Sequence, residues 1–355
     1  MTVYAVTGGN GFIGRAIVQT IIDYDKTVSE ILVLDTVHNV SFNTTKSSPI
    51  IKTIVCDVTN KAEFSNAIYG VDVLIHCAAI VDVFGKYHPD IIYRVNYHGT
   101  KNAIAACIEA DVTCLVYTSS MEAVGPNAYG DEFRGNEYSY YNSFHTHPYP
   151  KSKQAAEHLI LSANGIKTKM GYVLQTCALR PTGVYGEGCE ILKRIYKNCK
   201  KHRNKMHMTI VKGTIHSRVY VKNVAWMHLL VAKELLNEND NIAGNVYYCY
   251  DDSYICEYDE FNLMILEYLN IKKGKRIPIW ILKCIAKTSD AIQKMCKPFM
   301  LYTPMLNSYT LKMANTFFDM RTNRAELDFN YRPLVSFEDA IVNTVNWLKH
   351  EVDGE

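Results

Sequence analysis

A tyrosine and a lysine four residues apart share one face of a helix. The lysine's charge favours the phenolate, so the phenol can take a proton from an alcohol. Tyr-x-x-x-Lys occurs at Tyr97/Lys101, Tyr149/Lys153, Tyr196/Lys200 and Tyr268/Lys272 among 25 tyrosines, so the pattern alone decides nothing. Position decides. Tyr149 stands at the start of a helical stretch, after a polar loop from Gly125 to Pro150. It also lies downstream of the apolar run Cys114-Leu115-Val116-Tyr117-Thr118-Ser119-Ser120. Strand carboxyl ends are where open α/β sheets place ligands. A serine there would hold the alcohol oxygen that Tyr149 deprotonates. Ser119 and Ser120 point to opposite faces of the strand, so one of them serves.

A second group of residues suits a dinucleotide. Thr7-Gly8-Gly9-Asn10-Gly11-Phe12-Ile13-Gly14 joins the first apolar run to the first helical pattern. Gly8 permits the sharp turn, Gly11 lets a pyrophosphate approach the backbone, and Gly14 lets helix and strand pack closely. Free N–H groups at the helix start, those of Phe12 and Ile13, face the phosphates. The second apolar run ends in Asp35, whose carboxylate accepts from ribose hydroxyls and repels a 2′-phosphate. The expected cofactor is NAD.

The elements that must position these groups alternate. Apolar, β-branched runs lie at Val3–Thr7, Glu30–Asp35, Lys52–Asp57, Val71–Cys77, Thr113–Ser119 and Tyr172–Leu179. Helical patterns cover Phe12–Tyr24, Lys61–Tyr69, Pro89–Ala110 and Lys151–Ser162. This predicts an α/β fold, a doubly wound parallel Rossmann sheet with a smaller, less regular C-terminal substrate lobe. The NAD-binding domain is expected over 1–180 and the substrate lobe over 181–355, with segments near 215–250 returning to the core sheet.

Composition excludes other classes. The 355 residues are 48% hydrophobic with a net charge of +2, which gives no basic stripe for nucleic acid. The 11 cysteines are odd in number and lack CxxC spacing, so neither a disulfide framework nor a metal site is expected. No charged and apolar leader opens the chain, which reads as cytoplasmic.

The Gly-x-x-Gly-x-x-Gly spacing, with Ser120, Tyr149 and Lys153, resembles the extended short-chain dehydrogenase/reductase superfamily. Three stretches narrow this: Ala79-Ile80-Val81-Asp82-Val83-Phe84-Gly85, Tyr117 to Asn127, and Leu179-Arg180-Pro181-Thr182-Gly183-Val184-Tyr185-Gly186. With His216 to Ala225, they resemble the 3β-hydroxysteroid dehydrogenase/Δ5→4-isomerase family, most like its poxvirus-type members. The resemblance implies NAD-dependent oxidation of a 3β-hydroxy-Δ5-steroid to the 3-ketone, followed by migration of the double bond. It implies that Asp57 and Val58 meet the adenine, that Ala78 and Ala79 line the cofactor, and that Asn96 orders the site. Counted back from Gly125, it favours Ser120 over Ser119. Lys153 would also meet the nicotinamide ribose.

The isomerase step needs a group that carries a proton from C4 to C6, beyond the reach of a base fixed at C3. The family's Tyr-x-x-x-Asp motif matches Tyr247 and Asp251, and Glu122 beside the serines is an equal candidate. The steroid is expected in an apolar pocket between Val81–Tyr87, Glu122–Asn127 and the lobe after Tyr185. In the C-terminal lobe Lys283, Lys287, Asp290, Lys294 and Lys297 interrupt the apolar stretch, which excludes a spanning helix and leaves membrane-surface contact open. A homodimer is compatible with the resemblance. Alternatives are another extended reductase, a nucleotide-sugar epimerase, which would need basic groups converging beside Arg218, or a dinucleotide-sensing regulator.

Overall fold

A computed structural model describes residues 1–37, 41–297 and 299–354. Seven strands form one parallel sheet: β1 (Thr2–Thr7), β2 (Val28–Asp35), β3 (Ile50–Val55), β4 (Val73–His76), β5 (Cys114–Thr118), β7 (Gln175–Pro181) and β11 (Val246–Cys249). Their order is β11-β7-β5-β4-β1-β2-β3. The strands near the middle are almost continuously apolar because both faces are covered. On one face α1 (Phe12–Tyr24) and α7 (Val221–Leu236) bury Ile17, Ile21, Met227 and Leu229 against Val6, Val116 and Leu179. On the other, α2 (Lys61–Ala67), α4 (Gly99–Glu109) and α5 (Pro148–Ser162) bury Phe64, Ala103, Ala156 and Ile160 against Leu32, Leu74 and Leu115. This is the doubly wound α/β fold that the alternation predicts.

The segment Pro89–Ala110, which reads as one helix, is α3 (Pro89–Tyr93), a π-helical turn over Arg94–His98, and α4. One residue more per turn lets a helix aim a side chain differently, and such turns gather at functional sites. Asn96 sits in this one.

Among the described residues, three two-stranded pairs lie outside the main sheet. The long loop contributes β6 (Phe133–Gly135), which pairs with β13 (Phe318–Met320). β8 (Gly183–Tyr185) pairs with β10 (Arg218–Tyr220), and β9 (Lys205–Met208) with β12 (Lys272–Arg276). The remaining helices are α6 (Glu190–Lys201), α8 (Tyr258–Glu267), α9 (Ile279–Cys296), α10 (Ser308–Ala314), α11 (Arg324–Phe329) and α12 (Phe337–Leu348). Among them α6, α8 and α12 enclose a core of their own around Leu192, Phe261, Leu266 and Leu348. No described helix is long and apolar enough to cross a membrane.

Candidate active site

The glycine loop is built by contact. Gly8 has φ +63°, and a Cβ there would lie 2.8 Å from Ala78 Cα. At Gly14 a Cβ would stand 2.1 Å from Gly8 O, so α1 rests directly on the loop as well as on the strand. Gly11 differs. It is the N-cap of α1 with no side-chain cap, and a Cβ there would meet only Gly8 O, at 3.1 Å. The uncapped first turn, with the N–H groups of Phe12 and Ile13, fits a pyrophosphate. Asp35 ends β2, its Oδ2 accepting from Asn10 N–H at 3.0 Å, and is only partly buried, so acceptor capacity remains for a ribose. Asp57 accepts from Thr59 N–H at 2.8 Å, while Val58 is buried and its carbonyl receives Asn102 Nδ2 at 2.9 Å.

Beneath the loop runs a chain of hydrogen bonds. The Thr7 hydroxyl accepts from the N–H groups of Cys77 and Ala78, both at 3.1 Å. Its own proton is left for His76 Nδ1 at 2.8 Å. That makes Nε2 the protonated nitrogen, donating to Thr100 Oγ1 at 3.1 Å, which donates to Asn96 O at 2.7 Å. Burial first, and Lys153 second, push the His76 pKa down to about 3, so the ring stays neutral. Asn96 is buried too. Its Oδ1 accepts from Ile80 N–H at 2.7 Å, and its Nδ2 donates to Ile80 O at 3.0 Å and to Ser152 Oγ at 2.9 Å. It therefore ties the segment after β4 to α5.

Helix α5 starts with Pro148 in its first turn and presents Tyr149, Lys153 and Glu157, successive fourth residues, on one buried face. Ser119 Oγ donates to Glu157 Oε2 at 2.6 Å. Arg180 holds that carboxylate with Nη2 at 2.6 Å and Nε at 2.9 Å. Ser119 is thereby committed, and it is Ser120 that hydrogen-bonds the Tyr149 phenol. Ser120 also accepts from Glu122 N–H at 3.1 Å. Lys153 Nζ donates to Thr118 O at 2.6 Å and lies 4.3 Å over the Tyr117 ring. Burial brings its pKa down to about 8. The expected lowering of the Tyr149 pKa by Lys153 is not found. Burial and then the Glu122 carboxylate push the phenol up, and the hydrogen bond with Ser120 pulls it back. The ammonium is turned toward Thr118 and Tyr117 instead of the phenol.

The two isomerase candidates separate. Glu122 lies in a single 3₁₀ turn, Met121–Ala123, immediately after Ser120. The Tyr309 hydroxyl on α10 donates to its Oε2 at 2.6 Å. Burial raises the Glu122 pKa, and the Tyr309 bond works against that. Tyr247 and Asp251 are not brought to Tyr149. Strand alternation turns Tyr247 to the α1/α7 face of the sheet, where its hydroxyl donates to Asp328 Oδ2 at 2.8 Å, while α5 covers the opposite face. Asp251 Oδ2 accepts from Tyr220 N–H at 2.8 Å and Asn223 Nδ2 at 2.9 Å, and its Oδ1 from Ser253 N–H at 3.0 Å. Its place is in a turn bound to the start of α7.

Elements outside the sequence expectation also meet these loops. The loop after β4 is held from the C-terminal side, Asn307 Nδ2 donating to Val83 O at 3.0 Å and Gln293 Nε2 to Phe84 O at 2.6 Å. His147, just before α5, stacks on Tyr309 with ring centroids 3.9 Å apart. These two rings border a cavity of about 290 Å³ lined also by Asn127, His145 and Lys312. Glu157 and Arg180 were missed as well, although the i, i+4, i+8 spacing from Tyr149 marks the first. Arg218 is buried between the Tyr258 and Phe261 rings, at 4.3 and 4.7 Å.

Residues 5–281 match the model of the 3-beta hydroxysteroid dehydrogenase/isomerase family. The chain belongs to that family. A 3 beta-hydroxysteroid dehydrogenase/Delta 5→4-isomerase of Vaccinia virus (strain Ankara) is 47% identical over 350 residues, covering 98% of this chain and 99% of that protein. The human 3 beta-hydroxysteroid dehydrogenase type 7 is 42% identical over 352 residues, 98% of this chain and 95% of that one. Among solved structures, a UDP-galactose 4-epimerase superposes with a TM-score of 0.69 at 17% identity, covering 99% of this chain and all of that one. A dTDP-glucose 4,6-dehydratase from Streptomyces venezuelae with NAD bound gives 0.69 at 19%, covering 99% and 98%. Identities this low describe the shared fold. Membership of the steroid family rests on the two sequence matches and extends through both halves of the chain.

Proposed function

We propose that this protein oxidises the 3β-hydroxyl of a Δ5-steroid with NAD and then moves the C5–C6 double bond into conjugation, using two separate acid–base groups. The observation that carries the reading is the grouping of Tyr149, Ser120 and Lys153 at the carboxyl end of β5, beside the glycine loop. Phe12, Ile13, Gly11 and Asp35 would hold the cofactor. When bound, NAD would accept the hydride that leaves steroid C3, and its positive charge would favour the phenolate. Ser120 holds the substrate oxygen while Tyr149 removes its proton. Lys153, held at Thr118 O on the same helix face, is a buried cation available to the cofactor's ribose.

Double-bond migration then requires one proton to leave C4 and one to arrive at C6. Glu122 suits this. It adjoins Ser120 and burial raises its pKa, which makes a carboxyl group better able to return the proton it takes. Tyr247 and Asp251 are occupied elsewhere in the fold. In the cell we place the protein in the cytoplasm, resting on membrane surfaces through α9. In support, Leu282, Ala286 and Ser289 face inward, while Trp280, Ile285, Ile292 and Met295 are exposed beside Lys283, Lys287 and Lys294.

The test follows NADH absorbance and conjugated-enone absorbance together with pregnenolone and NAD. Tyr149→Phe is expected to lower NADH formation by about 100-fold while conversion of a Δ5-3-ketosteroid continues. NADH formation at the wild-type rate in Tyr149→Phe would overturn the assignment.

A further inference from the structure

We propose that Tyr309 is the positioning residue that enables Glu122 to carry a proton in both directions during isomerisation, an inference that rests on the assignment of that step to Glu122. The geometry divides the carboxyl group in two. Oε2 receives the Tyr309 hydroxyl at 2.6 Å. No described residue is hydrogen-bonded to Oε1, which leaves that oxygen for the substrate carbon. A phenol is both donor and acceptor. It donates to the carboxylate before the C4 proton is taken and can accept from, or donate to, the carboxylic acid afterwards. The carboxyl group therefore keeps one anchor through both protonation states and need not turn to solvent while it holds the proton.

The partner is also neutral, and this matters for return of the proton. A lysine or arginine against Glu122 would hold it as carboxylate and make it a poor acid. Among the described residues, Tyr309 from α10 is hydrogen-bonded to it, Tyr149 from α5 is near enough to be raised by its charge, His147 stacks on the Tyr309 ring, and His145 lines the same cavity. Burial keeps both histidines on the neutral side, His147 down to about 4. Lys312, the nearby cation of α10, donates to Ala128 O at 2.7 Å instead.

The anchor is itself fixed. Asn307 and Thr310 close a reciprocal cap at the start of α10, and Asn307 reaches across to Val83 O. The Tyr309 ring lies on His147, two residues before Tyr149. The hydroxyl is thus set against the same helix start that positions the oxidation base.

Tyr309→Phe keeps the ring and its stack and removes only the hydroxyl. Both rates are read on one NAD-loaded sample, so any unfolded fraction cancels from their ratio. We expect isomerisation of a Δ5-3-ketosteroid to fall by about tenfold, the worth of one charge-assisted hydrogen bond, and NADH formation to stay within about twofold. Loss of a donor to the carboxylate raises the Glu122 pKa, so the acid limb of the isomerase pH profile should move to higher pH. Glu122→Gln separates the two claims. If it leaves isomerisation intact, the assignment to Glu122 fails. If it abolishes isomerisation while Tyr309→Phe keeps the wild-type rate and acid limb, Tyr309 has no such role. Equal loss of both activities in Tyr309→Phe marks it as a packing residue and also overturns the inference.

Discussion

Four oxygens near the end of β5 do different work because each has a different partner. Ser119 is spent on Glu157, Ser120 on Tyr149, Glu122 on Tyr309, and Thr118 O on Lys153. Asp251 has the type of residue that proton transfer needs but lacks the place. Its carboxylate receives three donors from the turn after β11 and the start of α7. Asp251→Asn should leave isomerisation unchanged and cost about 1–2 kcal/mol in stability, because a charged acceptor becomes a neutral one and an amide donor is forced among donors. A urea titration beside the enone assay checks both halves, and a selective loss of isomerisation would restore Asp251 to the reaction. The residues legible in the sequence were those with a local signature: serines closing an apolar run, and a tyrosine opening a helix after a long loop. Tyr309 reaches Glu122 from 187 positions away, which no spacing encodes. Tyr247 lies away from Tyr149 for a simpler reason. Alternate residues of β11 face opposite ways, and the neighbouring Tyr248 is the one turned to Arg180.

At the scale of elements, the strand–helix alternation was readable because parallel strands covered on both faces are written as apolar runs. The π-helical turn at Asn96 was not, since one extra residue in a turn leaves the apolar pattern of α3 and α4 nearly intact. Nor were the short pairs β6/β13 and β9/β12, whose partners are remote in the chain. The first helix offers a separable test of fold and binding. Gly14→Ala sets a Cβ 2.1 Å from a backbone oxygen that cannot give way cheaply, so it should lower Tm and abolish NAD binding together. Gly11 has φ −76°, acceptable to any residue, and one neighbour at 3.1 Å. Gly11→Ala should keep the wild-type Tm and weaken NAD binding by about tenfold or more, since the methyl group stands where the pyrophosphate must approach. Thermal unfolding and an NAD fluorescence titration on both variants decide this, and equal affinities for NAD would place the pyrophosphate elsewhere.

At the scale of the molecule, one surface stands apart. The outer face of α9 and the segment beyond it expose Trp280, Met295 and Phe299, the last at 88%, among lysines. The sequence showed that these lysines forbid a spanning helix. Which face they would share with apolar side chains depended on Leu282 and Ala286 packing with Leu311 of α10. The protein should co-sediment with vesicles containing anionic lipid, and binding should weaken as salt screens the lysines. Replacing Trp280 and Phe299 by serine should release it. Recovery in the supernatant with the wild-type chain at low salt would refute the surface role.

The pairing of β6 with β13 sets a timetable. Phe133 on the loop before α5 packs on Phe318 with ring centroids 4.9 Å apart, and Arg321 N–H donates to Gly135 O at 2.8 Å. As the chain leaves the ribosome, β1 to β5 and β7 can align early, but the edge of β7 waits for β11 and the loop leading to Tyr149 waits for residues near 320. Domains generally fold as units, so closure waits for the last strand each sheet needs. The start of α5 is therefore among the last features to be set, and a nascent chain that already has its glycine loop still lacks the strand that fixes the approach to Tyr149.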